Sequence, residues 1–118
     1  MAIESNIETY RQYIQDLLLA RAKRKKQSPT PSQTETQAIF DQQRDHYQLV
    51  HVGWRRNGQR NYGCVLHLDI KDGKIWIQHD GTEDGIASAL VELSVPKTDI
   101  VLGFHDPFMR QYTGFAVD

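Results

Sequence analysis

Apolar residues near the start of the chain recur in steps of three and four, with polar residues between them. The residues at this spacing are Ile3, Ile7, Tyr10, Ile14, Leu17 and Leu18. This is the period of a helix with one apolar face. No Gly or Pro interrupts residues 2–28, and Pro29 ends the pattern because proline cannot continue a helix. The pattern predicts a long N-terminal amphipathic helix.

Residues 27–36 read QSPTPSQTET and contain no apolar side chain other than two prolines. Such a composition is typical of a flexible polar linker. A chain of 118 residues has room for one domain with a modest core. We therefore predict a single domain over residues 1–118, in which residues 27–36 connect the N-terminal helix to a sheet.

Three segments of alternating polar and apolar residues follow the linker. Residues 46–54, 62–70 and 74–78 are predicted strands, and Asn57-Gly58 and Asp72-Gly73 separate them. Both dipeptides suit tight hairpin turns, because glycine adopts a positive φ without steric cost. The segments together predict an antiparallel β-meander.

A two-residue turn at Asp72-Gly73 sets the register of the second hairpin. Ile70 would pair with Ile75, and Leu68 with Ile77. Apolar residues then line one face of the sheet, which must be the core face. They are Cys64, Leu66, Leu68, Ile70, Ile75 and Ile77.

The first predicted strand, residues 46–54, carries apolar side chains on both faces. The register of this strand is not determined by the sequence, because a bulge at Gly58 would change which of its two faces joins the core. In either register both faces of the sheet need a cover. Two predicted helices can supply these covers, and a second molecule is the alternative. We expect exposed Trp54 and Trp76 to anchor an interface, and a homodimer is the predicted assembly.

A second helix is predicted at residues 82–93. Thr82 suits the N-cap, and Glu83 and Asp84 place negative charge in the first turn. Residues 100–104 are typical of a further short strand. The predicted fold is α+β: an N-terminal amphipathic helix, an antiparallel meander of about four to five strands, and a second short helix packed on the sheet.

Composition and charge argue against several classes of protein. The net charge of −1 disfavours a strongly basic nucleic-acid binder. No apolar run approaches the roughly 20 residues of a membrane helix, so no membrane partner is expected. Cys64 is the single cysteine, which argues against an internal disulfide and a cysteine-based zinc site and predicts the cytoplasm. Cys64 itself is predicted to be a small buried residue on a strand.

Two basic groups stand out against this nearly neutral average. Residues 1–26 carry six Lys/Arg against three Asp/Glu. Both groups are candidates for weak, sequence-independent contact with DNA phosphates. The alternative is that one complements a helix C-terminus and the other keeps a turn soluble. The groups are Arg21, Lys23, Arg24, Lys25 and Lys26, and then Arg55, Arg56 and Arg60.

Acidic residues near the third strand form a weak candidate site. Asp69, Lys74, Asp80 and Glu83 resemble the carboxylate–lysine sites that hold Mg²⁺ in nucleases. In the predicted register the first three of these residues share a face. The same residue types also flank ordinary exposed turns, so the site remains a minor alternative.

The five histidines lack the close spacing of metal ligands. His67 and His79 would lie on opposite faces of the sheet in the predicted register. No nucleophile motif or phosphate-binding glycine loop is present in the sequence. We therefore predict no catalytic, cofactor-binding or metal-binding residues, and a protein that is not an enzyme.

Four runs of residues, in the same order and at similar spacing, carry a family resemblance. They are FDQQRDHYQLVHVGW (40–54), HLDIKDGKIWIQHDGTEDGIA (67–87), VPKTDIVLGFHDP (95–107) and RQYTGFAV (110–117). On these runs the chain resembles the cyanobacterial XisI family of fdxN-element excision controlling factors. That family usually has Gly where this chain has Ser94, just after the second predicted helix.

The resemblance implies a biological role that the residues alone do not. The named member of the family is similar in role to an accessory factor that controls excision of a DNA element by a site-specific recombinase during heterocyst development. It also implies a companion small protein that resembles a nuclease. A non-catalytic partner-binding protein is therefore expected, and antitoxin-like control of the companion is equally compatible with the resemblance.

Overall fold

The computed structural model describes residues 2–26 and 33–118, and the side chains of residues 6–23 and 33–118. Five strands form one sheet in the order β1-β2-β3-β4-β5. Neighbouring strands are antiparallel except β5, which runs parallel to β4. The predicted α+β fold is confirmed, but the strand predicted at residues 100–104 spans only Ile100–Leu102 and is parallel, not antiparallel, to its neighbour. In chain order the elements are α1 (Ala2–Lys26), β1 (Gln33–Asp41), β2 (His46–Trp54), β3 (Arg60–Lys71), β4 (Lys74–Asp80), α2 (Ile86–Glu92), a 3₁₀ turn (Lys97–Asp99), β5 (Ile100–Leu102) and α3 (Pro107–Arg110).

The N-terminal helix α1 buries the apolar stripe that its sequence predicts. Tyr10, Ile14 and Leu18 are almost inaccessible to solvent, and Ile7 and Leu17 pack partly against the core. The spacing of these residues places them along one side of the helix. None of the helices in the described ranges has the length and apolar composition needed to cross a membrane.

The linker predicted at residues 27–36 is wrong in its last four residues. Gln33–Asp41 is strand β1, which pairs along its whole length with β2. Residues 27–32 lie outside the part of the chain that the structure describes. Strand β1 is an edge strand in which no residue is buried, so its sequence lacks the apolar alternation of a half-buried strand.

The register predicted for the second hairpin is confirmed. Ile70 pairs with Ile75, and Leu68 pairs with Ile77. These residues belong to one core cluster that also contains buried residues of α1, α2 and β5. Both helices therefore cover the same face of the sheet. The expectation that they cover opposite faces is wrong, and we call the other side the open face.

The first hairpin contains an irregularity at Val65 rather than at Gly58. Leu49 pairs with Leu66, whereas Val50 pairs with Cys64, so Val65 is an extra residue in β3. A bulge of this kind exchanges the faces of the residues that follow it. Cys64 consequently lies exposed on the open face, and its predicted place in the core is wrong.

The second helix begins later than predicted: α2 starts at Ile86, and Gly85 is its N-cap. The carboxylate of Asp80 accepts a hydrogen bond from the backbone N–H of Ile86 at 2.7 Å. Its other oxygen accepts from the backbone N–H of Thr82 at 2.9 Å. Asp80 therefore takes the capping role that the sequence pattern assigns to Thr82. It does so from the end of a strand, which local spacing cannot reveal.

Candidate metal centre and contact surface on the open face

Two histidines and one aspartate converge on the open face of the sheet. His46 is the first residue of β2, and it pairs directly with Asp69 of β3. His67 lies two residues before Asp69 on the same strand, so both side chains point to one face. The ring nitrogens His46 Nδ1 and His67 Nε2 each lie 2.8 Å from Asp69 Oδ1. All three ligand atoms lie within 4.8 Å of one another.

Two glutamine side chains hold the cluster from its sides. Gln48 Nε2 lies 3.3 Å from His67 Nδ1, and Gln78 Nε2 donates to Asp69 Oδ2 at 3.2 Å. The carboxylate of Asp69 is well covered, with 15% of its side chain exposed, whereas His46 is 54% exposed. The cluster is therefore covered on its inner side and open to solvent on its outer side.

Sequence reasoning missed this cluster because it searched for ligands close together in the chain. His46 and Asp69 are 23 residues apart, and only the pairing of β2 with β3 brings them together. A usable signal was present, however. A two-residue turn at Asn57-Gly58 would place His46 opposite Asp69. The observed hairpin loop is longer and shifts the pairing by one residue, and the bulge at Val65 shifts it back.

The prediction that His67 and His79 lie on opposite faces is wrong. The register shifts between His67 and Leu68, so that His67 pairs with His79 and Leu68 pairs with Ile77. Gln78 is then the extra residue in β4. Since paired residues of antiparallel strands share a face, His79 lies beside the cluster.

The acidic candidates Asp69, Lys74, Asp80 and Glu83 do not form one site. Asp69 lies on the open face, but Asp80 pairs with buried Leu66 and caps α2 on the helix-covered face. The same bulge in β4 separates the two carboxylates, so the prediction that they share a face is wrong. Lys74 donates to the backbone oxygen of Asp118, and Glu83 is exposed.

Exposed apolar and aromatic side chains occupy the far end of the open face, towards the β2–β3 hairpin. Trp54 and Tyr62 are 48% and 70% exposed, whereas Ile39, which is 49% exposed, pairs with Gln48 at the end of the open face that carries the cluster. The Arg60 guanidinium lies over the rings of Trp54 and Tyr62, at 5.2 Å and 5.8 Å from their centroids. Within the described residues no helix covers these side chains.

Trp76, the second predicted interface anchor, is shielded. Arg110 lies 5.2 Å and Lys71 Nζ 4.7 Å from the centroid of its ring. Its indole nitrogen is buried and has no hydrogen-bond partner among the described residues. The exposure predicted for Trp76 is therefore wrong, because the C-terminal segment folds back over β4. Of the two predicted anchors, Trp54 is the one that is exposed.

The predicted DNA-contact residues are distributed over distant parts of the molecule. Arg21 is buried between α1 and α2, and its Nη1 donates to Asp84 at 2.9 Å. A phosphate could reach Arg21 only at the expense of this ion pair. Lys23 is exposed, as are Arg55, Arg56 and Arg60 at the β2–β3 hairpin. The side chains of residues 24–26 lie outside the described part of the chain.

A partly buried polar network lies directly beside His46. Asp45 accepts from Arg11 Nε at 2.7 Å, from Arg11 Nη2 at 3.1 Å and from the Tyr47 hydroxyl at 2.8 Å. Burial acts to raise the pKa of Asp45, but the hydrogen bonds from Arg11 and Tyr47 outweigh it and hold the pKa below 3.8. Burial and the Asp45 carboxylate raise the pKa of Tyr47. The network fixes α1 to the start of β2, and hence the position of His46.

Comparison with known proteins identifies the family of the chain. The family model described as XisI protein matches residues 5–117. A crystal structure of a XisI-like protein from Anabaena variabilis has a TM-score of 0.85 and 41% identity, with 95% of this chain and 99% of that chain covered. The fdxN element excision controlling factor XisI from the same organism has a TM-score of 0.81 and 34% identity, with coverage of 96% and 99%. The comparison with curated proteins gives no significant match. The chain belongs to the XisI protein family.

Proposed function

We propose that this protein is a non-catalytic accessory factor of the cytoplasm that acts with a companion nuclease-like protein in site-specific DNA excision or in its control. The similarity to a protein named as an excision controlling factor supports the role in excision. The open face of the sheet supports action through protein contact. Control of the companion alone, without an excision event, would use the same contact.

One observation carries the proposal: the exposed aromatic residues on the open face. Burying an aromatic side chain at an interface contributes a large apolar area, and such residues are enriched among the energetically important contacts of protein interfaces. Trp54 and Tyr62 lie on neighbouring strands of a rigid sheet, so little conformational entropy is lost when a partner covers them. We call Trp54 and Tyr62 the aromatic patch.

Light scattering on a sizing column tests this proposal directly. The tag-free protein is run alone, and then with the companion nuclease-like protein of the same organism. We expect a stoichiometric complex that survives moderate salt, and at least a tenfold weaker complex for the double variant Trp54→Ala with Tyr62→Ala.

The matched control is Phe108→Ala with Tyr112→Ala, because these rings are also exposed but lie in the C-terminal segment. The control should bind as the unchanged protein does. If neither pair of substitutions affects the complex, the contact lies elsewhere. If no complex forms at all, the proposed partnership is refuted.

A homodimer is a separate part of the proposal, with exposed Trp54 as its anchor. The protein alone should then elute with twice its mass of 13.6 kDa. The aromatic-patch double variant should elute as a monomer. A dimer that survives these substitutions would place the dimer contact elsewhere, and a monomeric unchanged protein would exclude the dimer.

DNA contact is the second candidate function, and the position of Arg60 favours it. A guanidinium next to two exposed rings provides charge for the phosphates and flat surfaces on which bases of a single strand can stack. Fluorescence anisotropy with labelled single- and double-stranded DNA tests this function. Neutralising Arg55 and Arg56 with glutamine should lower the slope of log affinity against log salt by about 2.

Arg44→Gln is the control for this experiment, because Arg44 is an exposed arginine in the β1–β2 turn, away from the β2–β3 hairpin. Its salt slope should equal that of the unchanged protein. Equal slopes for all variants would show that the charge of the β2–β3 hairpin serves solubility alone.

A further inference from the structure

We propose that His46, His67 and Asp69 form a binding site for a divalent transition-metal ion of the Zn²⁺, Co²⁺ and Ni²⁺ class. Two imidazoles and one carboxylate are a ligand set that these ions accept in proteins. The cluster lies on the open face of the sheet, near its β1–β2 end and remote from the aromatic patch at the β2–β3 hairpin. The proposal does not depend on the function proposed above.

The observed separations are close to those of three donors around one ion. Each imidazole nitrogen lies 2.8 Å from Asp69 Oδ1, and all three atoms fall within 4.8 Å. Donors that each bind an ion at about 2.0–2.2 Å are themselves separated by about 3.0–3.6 Å. Small side-chain rotations of His46 and His67 reach this spacing. The backbone can stay in place, because β2 and β3 are joined by a continuous ladder here.

The surrounding hydrogen bonds orient the ligands as a metal site requires. Gln78 occupies Asp69 Oδ2, which leaves Oδ1 turned towards the two histidines. When His67 binds an ion through Nε2, its proton resides on Nδ1 and needs an acceptor. Gln48 lies 3.3 Å from that nitrogen, and rotation of its amide by half a turn presents the carbonyl oxygen.

Solvent access allows an ion to enter and leaves coordination positions free. His46 and His67 are 54% and 29% exposed. Three protein ligands leave at least one position of a tetrahedral ion for water or for a donor of another molecule. His79 pairs with His67 across the strands and is the nearest further donor by register. The inference concerns binding, and no reaction is assigned to the ion.

Binding is tested on tag-free full-length protein that has been stripped with a chelator. Isothermal titration with ZnCl₂ should show one equivalent per chain, and Co²⁺ should give a visible d–d absorption band. His46→Gln, His67→Gln and Asp69→Asn should each weaken Zn²⁺ binding at least tenfold. His105→Gln is the matched control, because His105 lies after β5 beside Phe104, and it should bind as the unchanged protein does.

A second measurement guards against variants that fail to fold. Saturating Zn²⁺, at about 100 times its dissociation constant, should raise the melting temperature of the unchanged protein by about 5 °C or more. It should raise that of His67→Gln by no more than about half as much, because the same Zn²⁺ concentration is then at most about ten times the dissociation constant, and circular dichroism checks that each variant is folded. Absence of saturable binding at millimolar Zn²⁺ would overturn the proposal. Equal affinity in the cluster variants and in His105→Gln would also overturn it, since the ion would then bind elsewhere.

Discussion

The network of Asp45 with Arg11 and Tyr47 gives the sharpest test of how this fold is stabilised. Asp45→Asn removes the charge but keeps the size of the side chain and an acceptor oxygen. Asparagine also tolerates the left-handed backbone at this position, where φ is 60°. Any loss of stability therefore reports the electrostatic part of the network rather than backbone strain.

The expected loss is about 2 kcal/mol at pH 7. An exposed ion pair contributes about 0–1 kcal/mol, whereas a hydrogen bond to a charged group contributes about 1.5–3 kcal/mol. Asp45 and Arg11 fall between these cases, since their side chains are 14% and 25% exposed and Arg11 makes a two-point contact. Urea unfolding followed by tryptophan fluorescence measures the free energy, and the melting temperature should fall by about 8 °C.

The sign of the pH dependence follows from the lowered pKa of Asp45. Its stabilising contribution is fully present above the ordinary value of 3.8, and it is lost as the pH falls through the lower folded value. The difference between the unchanged protein and Asp45→Asn should therefore be largest near neutral pH and shrink towards pH 2.

Asp16→Asn serves as the control, because Asp16 is exposed on α1 and accepts a bond from Gln12; its effect should stay below about 0.5 kcal/mol. Equal stability of Asp45→Asn and the unchanged protein at pH 7 would refute the reasoning. A difference that persists undiminished to pH 2 would refute its electrostatic origin.

Three further substitutions probe other parts of the fold. Ser94 has φ 73° at the end of α2, so Ser94→Gly should stabilise the protein by about 0.5–1 kcal/mol, while Ser94→Ala should bring no such gain in thermal unfolding. Gly53→Ala would place a Cβ 2.1 Å from the Gln33 carbonyl oxygen. We expect this substitution to lower the free energy of unfolding by more than about 3 kcal/mol and to cause rapid hydrogen exchange in β1. The control is Gly63→Ala, whose Cβ would meet nothing within 4 Å, and it should cost less than about 1 kcal/mol. Arg21→Met should lower the free energy of unfolding by about 1–2 kcal/mol. A double-mutant cycle with Asp84→Asn should show that the two substitutions are energetically coupled. If their effects on stability are additive, the ion pair does not link α1 to the start of α2.

The chain itself determines those elements whose signals are local. The spacing of apolar residues marks α1, and Asp72-Gly73 sets the register that pairs Ile70 with Ile75. A hairpin turn acts over a few residues, and the two-residue period of a strand carries its consequence along both strands. The α+β class follows from these two elements and the apolar segment of β5.

Tertiary structure alone decides which residues meet across greater distances. Bulges at Val65 and Gln78 exchange the faces of Cys64 and Asp80, because one extra residue reverses the alternation of a strand. Strand β1 is defined by its pairing with β2, because its polar sequence lacks the alternation that predicts a strand. The cluster of His46, His67 and Asp69 arises in the same way, because residues far apart in the chain become neighbours when two strands pair.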